Sequence, residues 1–124
     1  MGHPVAVEEA ELSELDYCYV TTTGRSSGRP HTIEIWFALH VGRVYMLSGG
    51  GDASDWVKNI RVNPTVGLRV GDHDMICRAY VVEDADEDAL ARRLLVEKYR
   101  PRYIGDLDEW RDTSLPVAIE LPEG

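Results

Sequence analysis

The amino-acid sequence predicts a mainly β protein with short helices (α+β), in which six antiparallel strands form a closed or nearly closed barrel. The chain of 124 residues has the length of one domain. Several short segments alternate between apolar and polar residues or are rich in aromatic and β-branched residues. Tight turns separate most of these segments and imply antiparallel neighbours. Six antiparallel strands in so short a chain favour a barrel over an open sheet.

The predicted strands are distributed along most of the chain. YCYVTTT, from Tyr17 to Thr23, contains aromatic and β-branched residues throughout. In HTIEIWFAL, from His31 to Leu39, every second residue from Ile33 onward is apolar and is expected to face the core, which leaves Glu34 and Trp36 pointing outward. The remaining strands are predicted from Arg43 to Ser48, from Thr65 to Val70, from Met75 to Glu83 and from Ser114 to Leu121.

Two helices are predicted between the strands. The first extends from Asp52 to Asn63, with Asp52 or Ser54 as its cap, and Pro64 follows its end. The second follows Asp84, which is expected to form a capping box with Glu87 three residues later, and it ends near Tyr99. Two shorter segments are expected to be a helix from Glu8 to Glu14 and an acidic loop or single turn from Gly105 to Asp112.

Composition and charge exclude several classes of function. The formal net charge of −9 argues against nucleic acid and anionic membranes as partners, because both require a basic surface. No apolar run approaches the roughly 20 residues that cross a bilayer, and the acidic segment from Met1 to Asp16 has no secretory pattern. Cys18 and Cys77 are expected to be buried, reduced thiols of a cytoplasmic protein. The four histidines have no metal-site spacing, so no metal is expected.

A first motif, GRSSGRPH, extends from Gly24 to His31 within a stretch, Tyr17 to Ile33, that contains no acidic residue. Its glycines allow tight turns, and its hydroxyl groups, backbone N–H groups and arginines are donors suited to an anionic group. The alternative is a solvated basic turn without a ligand. The candidate cofactor-binding residues of this motif are Arg25, Ser26, Ser27, Gly28, Arg29 and His31.

A second motif, SGGGDASDW, extends from Ser48 to Trp56 and joins a predicted strand to the start of a predicted helix. A glycine run at a helix start exposes backbone N–H groups beside a positive helix end, which attracts anions. The alternatives are a flexible connector, or aspartates that cap the helix or bond a hydroxylated chain. The candidates here and in the following turn of helix are Ser48, Gly49, Gly50, Gly51, Ser54, Asp55, Trp56 and Asn59.

Taken together, YVTTTGRSSGRPH, YMLSGGG and DWVKNIRVNPTVGLRVG resemble the deazaflavin (F420)-dependent nitroreductase family. This family lies within the flavin- and F420-binding split β-barrels that include the pyridoxamine phosphate oxidases. The resemblance is close from Tyr17 to Gly71 and looser beyond. It implies a split barrel, formed by residues 1–124 as one domain with a helical or disordered arm at 1–15, that binds F420 or, alternatively, FMN.

The resemblance also implies an activity and a placement of residues. The reduced cofactor of the family transfers a hydride to quinones, nitroaromatics or activated alkenes. The two glycine-containing motifs would hold the phosphate-bearing side chain, and the helix start from Trp56 to Asn59 would close the site. Strand residues Ile33, Glu34 and Trp36 would lie near the ring. Tyr99 and Tyr103 are guesses for the substrate side, and no catalytic side chain is identified.

This sequence departs from the family pattern at three basic positions. Ser26 and Gly49 stand where the family has lysines, and His31 replaces a fixed basic residue. The cofactor tail is therefore held differently, or the cofactor is FMN or another molecule. Three functions stay open at this point: a reductase acting on a small redox acceptor, a non-catalytic F420 or FMN carrier, and a cofactor-free interaction barrel. Relatives in the wider group pair as homodimers, and Trp36 fits such an interface or a stack on the cofactor.

Overall fold

The structure is a computed structural model that describes residues 11–122 of the chain. Within this range, seven strands form one sheet, and the three α-helices that lie wholly inside the range pack around it. The strands are β1 (Tyr17–Thr23), β2 (Pro30–Trp36), β3 (Ala38–His40), β4 (Arg43–Ser48), β5 (Thr65–Val70), β6 (His73–Val81) and β7 (Leu115–Glu120). The helices are α1 (Asp55–Val62), α2 (Ala85–Tyr99) and α3 (Asp108–Thr113).

The sheet has the strand order β2-β1-β5-β6-β7-β4-β3, and all of its paired neighbours are antiparallel. Its two edge strands, β2 and β3, are consecutive in the chain, and only Phe37 separates them. Because one residue joins opposite edges, the sheet must curl until those edges approach each other. The result is a curled half-barrel, which confirms the predicted mainly β, antiparallel class.

The prediction of six strands is wrong because HTIEIWFAL is two strands, not one. Phe37 leaves the ladder, and its backbone finds partners on α2 instead. The Phe37 N–H donates to the Tyr99 hydroxyl oxygen at 2.9 Å, and the Phe37 carbonyl accepts from Lys98 Nζ at 2.8 Å. These partners lie about sixty residues further along the chain, so the local alternation of HTIEIWFAL carries no sign of the break.

Apolar side chains form two clusters on the two faces of the sheet. The interior cluster lies inside the curl, where α1 adds Val57 and Ile60. The predicted inward residues of HTIEIWFAL and of β7 all belong to this cluster or pack against it. The second cluster lies between α2 and the outer face of β4 and β7, where it includes Tyr45, Leu95 and Ala118. Full burial of a side chain such as Leu95 contributes about 1.5–3 kcal/mol.

The start of α2 confirms one half of the predicted capping box. Asp84 Oδ2 accepts from the Glu87 N–H at 2.9 Å, as an N-cap should. The Glu87 carboxylate does not bond the backbone N–H of Asp84, which would complete the capping box. Instead its Oε2 accepts from Tyr45, Tyr80 and Arg43 at 2.8, 2.6 and 3.1 Å, which fastens α2 to the sheet.

The other predicted elements differ from the structure at their ends. The helix predicted from Asp52 to Asn63 is a 3-10 turn, Gly51–Ala53, followed by α1, and the predicted acidic turn contains α3. The strand predicted from Met75 to Glu83 is shifted and runs from His73 to Val81. The predicted arm at residues 1–15 lies mostly outside the described residues. Of the predicted helix from Glu8 to Glu14, residues 11–14 are described, and they form a helical end (11–12) followed by a turn. Among residues 11–122, no helix is long and apolar enough to span a membrane.

Candidate functional site

A cleft with a volume of about 660 Å³ separates the loop between β1 and β2 from the start of α1. Both predicted motifs contribute to it. The residues that line the cleft are Thr22, Gly24, Arg25, Ser26, Ser27, His31, Thr32, Ile33, Ser54, Asp55, Trp56 and Asn59. Most of these side chains are polar, whereas Ile33 and Trp56 provide apolar surface.

The loop from residue 24 to residue 29 is closed by its own backbone. The Gly24 N–H donates to the Arg29 carbonyl at 2.8 Å, and the Gly28 N–H donates to the Gly24 carbonyl at 2.9 Å. Gly28 has a φ of +72°, which a residue with a side chain rarely adopts. Ser27 Oγ accepts from the Arg29 N–H at 3.1 Å. The loop therefore has a defined shape of its own rather than that of a loose connector.

Asn59 connects this loop to α1. Its Oδ1 accepts from the Arg25 N–H at 3.1 Å and from Arg25 Nη1 at 2.9 Å, and its Nδ2 donates to Thr22 Oγ1 at 3.1 Å. The side chains of Asn59 and Thr22 are both buried. Since both polar atoms of the amide already have protein partners, Asn59 positions the loop.

Arg25 and Asp55 form an ion pair at the cleft. Arg25 Nη2 lies 3.2 Å from Asp55 Oδ1, and Arg25 Nη1 lies 3.5 Å from the Asp55 carbonyl oxygen. The Arg25 side chain is 34% exposed and that of Asp55 is 84% exposed. An ion pair this exposed contributes at most about 1 kcal/mol to stability. Its larger effect is on the charge of the cleft, because the guanidinium faces a carboxylate of the protein itself.

Gly24 allows two side chains to approach the backbone of the cleft. A Cβ atom at this position would lie 2.6 Å from Ser27 Oγ and 2.8 Å from His31 Nε2. Both groups can therefore point into the same region as Arg25. Hydroxyl groups, an imidazole and a guanidinium are donors that suit the hydroxyl groups and the charged oxygens of a phosphate-bearing chain. In this respect the residues present fit the side chain of a phosphate-bearing cofactor.

The cleft brings together about half of the candidate residues from both motifs. Those that line it are Arg25, Ser26, Ser27, His31, Ile33, Ser54, Asp55, Trp56 and Asn59. The candidates outside its lining are Gly28, Arg29, Glu34, Trp36, Ser48, Gly49, Gly50 and Gly51. The sequence analysis did not select three further lining residues, Thr22, Gly24 and Thr32. All three belong to the first motif or lie beside it, and this proximity could have indicated them.

The glycine run folds into a tight turn beside the cleft. Ser48 Oγ donates to the Gly51 carbonyl at 3.2 Å and lies 2.9 Å from Ser54 Oγ. Ser54 occupies the N-cap position of α1 without a capping bond from its side chain. Asp52 pairs with Arg61 at 2.7 Å and does not cap the helix. The hydrogen bonds of Ser48 therefore hold the turn in place. The glycines, which have no side chains, allow the backbone to turn this tightly.

Trp36 lies at the opposite end of β2 from the cleft. Its ring stacks on that of Tyr99, with centroids 4.2 Å apart, and Tyr103 and Trp110 contact it edge-on at 5.6 and 5.4 Å. Tyr103 is 47% exposed, whereas Tyr99 is only 1% exposed. The Tyr99 hydroxyl bonds to backbone atoms of Phe37 and Asp16, and burial raises its pKa. Tyr99 therefore supports Trp36 from within the fold.

Two cysteines and one glutamate of the described chain lie outside the cleft lining. Burial raises the pKa of the Cys18 thiol to about 12 and that of Cys77 to about 11, so both stay protonated at neutral pH. Glu34 accepts from the Tyr19 hydroxyl at 2.6 Å on the outer face of the sheet. Within residues 11–122, no group of His, Cys, Asp and Glu side chains converges as metal ligands would.

Comparisons with known proteins agree with this architecture. A family model described as F420H(2)-dependent quinone reductase matches residues 5–122. A solved F420-H2 dependent reductase is 26% identical, with a TM-score of 0.67 over 85% of this chain and 93% of that chain. A structure described as a domain-swapped dimer is 29% identical, with a TM-score of 0.66 over 85% of this chain and 79% of that chain.

A more distant structure shows the fold alone. It is a candidate pyridoxamine 5'-phosphate oxidase from Listeria innocua, 20% identical to this chain, with a TM-score of 0.68. The match covers 98% of this chain and 95% of that chain. The curled sheet is thus shared with that structure over nearly its whole length.

Proposed function

The chain belongs to the F420H(2)-dependent quinone reductase family, and from this membership we propose that it is an oxidoreductase that transfers a hydride from reduced F420 to an organic acceptor. The observation that carries the proposal is the polar cleft between the loop at residues 24–29 and the start of α1. The hydrogen-bond donors of the cleft suit the side chain of such a cofactor. The cleft also lies where the two motifs that carry the family resemblance meet.

The residues of the cleft would bind and orient the cofactor side chain. Arg25 would contact the phosphodiester, and the hydroxyl groups of Ser26, Ser27 and Thr32 would contact the polyhydroxylated part. Ile33 and Trp56 would exclude water from the inner wall of the cleft. When bound, the deazaflavin itself supplies the hydride chemistry, which makes few demands on acidic or basic side chains.

The charge of the cleft suits the phosphodiester group of F420 better than the phosphomonoester group of FMN. The lining contains one arginine, and Asp55 offsets its charge. A phosphodiester carries one negative charge, whereas a phosphomonoester such as that of FMN carries about −1.5 to −2 at neutral pH. The less charged group needs less compensation from the protein. FMN stays the alternative cofactor, and it would change the expected electron donor.

We propose quinones, nitroaromatics and activated alkenes as acceptors. The exposed ring of Tyr103 beside Trp36 supports this choice, because planar acceptors pack well against aromatic rings. Tyr103 and Trp36 would then contact the acceptor, and Tyr99 would hold Trp36 in place.

The proposal is tested by titrating the apo-protein with F420 and separately with FMN, followed by fluorescence. Micromolar or tighter F420 binding, and oxidation of reduced F420 by menadione in the presence of the protein, are the expected results. Tight F420 binding without turnover by any acceptor of these classes would instead identify a cofactor carrier. If neither cofactor binds, the proposal is wrong and the barrel has another ligand.

We also propose a homodimer in the cytoplasm. The 29% identical relative is described as a domain-swapped dimer, which supports a dimer here. The outer face of β6 presents Ile76, which is 74% exposed, beside a depression at Gly67 that a second copy could cover. The buried thiols of Cys18 and Cys77 suit a reducing compartment. Light scattering should give twice the mass of the chain, and the mass of one chain would contradict the dimer.

A further inference from the structure

We propose that Asp55 is a specificity-determining residue that competes with the anionic group of the cofactor for Arg25 and thereby discriminates against doubly charged phosphates. This inference rests on the proposed function, because it concerns the same cleft. In this role Asp55 does not bind the ligand; it opposes the binding of the ligand to Arg25. Asp55 would weaken the binding of every anion in the cleft, and it would weaken that of a dianion most.

The geometry of Arg25 supports this competition. Its Nη2 lies 3.2 Å from Asp55 Oδ1, while its Nη1 lies 2.9 Å from Asn59 Oδ1 and 3.5 Å from the Asp55 carbonyl oxygen. Both terminal nitrogens of the guanidinium thus already have oxygen partners within the protein. A phosphate oxygen that reaches Arg25 from the cleft must therefore share it with the Asp55 carboxylate or displace that carboxylate.

The exposure of the two side chains indicates that displacement is feasible. The Asp55 side chain is 84% exposed and makes no hydrogen bond to a buried group, so it can turn into solvent at little cost. The Arg25 side chain is 34% exposed, and its contact with buried Asn59 holds it in place. Binding would therefore exchange the carboxylate and keep the arginine where it is.

The charge of the ligand then determines how strongly Asp55 opposes binding. The Coulomb energy between the carboxylate and a phosphate group beside it is proportional to the charge of that group. A phosphomonoester dianion is repelled about twice as strongly as a phosphodiester, and an uncharged ligand is not repelled at all. Asp55 should therefore weaken the binding of FMN and of F420, and it should not affect riboflavin, which lacks the phosphate.

Asp52 provides a matched control three residues away. It is also an exposed aspartate paired with an arginine, since its Oδ1 lies 2.7 Å from Arg61 Nη2. Asp52 and Arg61 are both absent from the lining of the cleft. The variants Asp55→Asn and Asp52→Asn change the net charge of the protein equally, so any difference between them reports the local contact with Arg25.

The test measures dissociation constants of F420, FMN and riboflavin for the wild type, Asp55→Asn and Asp52→Asn by fluorescence titration. Asp55→Asn should tighten FMN binding about tenfold at low salt, F420 binding should also tighten, and riboflavin binding should not change. Asp52→Asn should match the wild type for all three. Equal gains in the two variants, or the same gain for riboflavin as for FMN, would overturn the inference.

Inorganic phosphate separates a failure of this inference from a failure of the proposed function. Calorimetric titration should show tighter phosphate binding to Asp55→Asn than to Asp52→Asn, and the gain should disappear in the double variant Asp55→Asn/Arg25→Gln. If neither F420 nor FMN binds the wild type, the proposed function is wrong, and the phosphate titration still decides the role of Asp55. No difference in phosphate binding between the two aspartate variants would refute that role.

Discussion

The two ends of β2 differ in the interactions that attach them to the rest of the fold. At the Pro30 end, the loop meets α1 through polar and charged groups, of which Arg25 and Asp55 are partly open to solvent. At the Trp36 end, aromatic rings stack within about 4–6 Å and Tyr99 is buried. Buried rings contribute more to folding free energy than exposed ion pairs do.

The comparison indicates that stability and binding of the cofactor side chain are concentrated at opposite ends of one strand. A polar, solvent-accessible cleft can exchange its internal partners for those of a ligand at low cost. A stacked aromatic cluster cannot be altered without loss of packing. Substitutions at the Trp36 end should therefore change unfolding more than cofactor affinity, and those at the Pro30 end should do the reverse.

The largest effect is expected for Tyr99→Ala at the Trp36 end. The change removes a buried ring that stacks on Trp36 and a hydroxyl that bonds the backbone of Phe37, so the free energy of unfolding should fall by about 3–5 kcal/mol. Urea denaturation measures this loss. Tyr99→Phe, which removes only the hydroxyl, should cost about 1–3 kcal/mol. A Tyr99→Phe variant as stable as the wild type would mean that the hydroxyl does not hold Phe37.

A smaller effect, on binding instead of folding, is expected for Arg25→Gln. Loss of a charged donor to a phosphate should weaken cofactor binding by about 1.5–3 kcal/mol, with little change in unfolding. Fluorescence titration measures the affinity, which should also fall with added salt in the wild type. Arg29→Gln is the comparison, because Arg29 is exposed and lies outside the cleft lining, and it should lose less affinity. Equal losses in both variants would contradict the placement of the phosphate at Arg25.

Gly24→Ala should weaken cofactor binding severalfold. The added methyl group would press on Ser27 Oγ and His31 Nε2, whose side chains would have to rotate at a cost of about 1 kcal/mol. Gly49→Ala adds a methyl group where no other atom lies within 4 Å, so both stability and affinity should stay close to the wild type. Titration of the two variants compares them directly. A larger loss in Gly49→Ala would show that the glycine run, not Gly24, approaches the ligand.

The smallest effect is a pH dependence at Lys98. Burial, together with the charge of Arg102, lowers the pKa of Lys98 from 10.5 to about 8. Between these values the unfolded chain holds a proton that the folded chain has released, so the contribution of Lys98 to stability rises with pH in this window. Lys98→Met should lack this rise. Urea denaturation of both proteins at pH values from about 8 to about 10 tests it, and parallel pH profiles would refute it.

Local patterns in the sequence were sufficient to predict most strands and the antiparallel sheet. The alternation in β2 and β7 depends only on neighbouring residues and was confirmed. The break at Phe37 was not predictable, because the groups that satisfy its backbone lie on α2. A pattern within nine residues cannot contain that information, and for this reason one expected strand became two.

The candidate site was predictable to the extent that it consists of contiguous motifs. The loop at residues 24–29 and the helix start near Trp56 do meet in one cleft. The pairing of Arg25 with Asp55 and the bracing by Asn59 were not predictable, because they depend on how two distant segments are oriented. Trp36 was expected to point outward, and the sequence contained no indication that Tyr99 would cover it.

The single-residue link at Phe37 has a consequence for the order in which the chain can fold. β1 and β2 form a local hairpin, and β3 and β4 form another. The link between these hairpins is held by Tyr99, 62 residues downstream. During synthesis on a ribosome, both hairpins emerge well before α2 does. The link at Phe37 is therefore fixed only after α2 has formed, and β2 and β3, which are edge strands of the finished sheet, offer unpaired edges to which another chain could add.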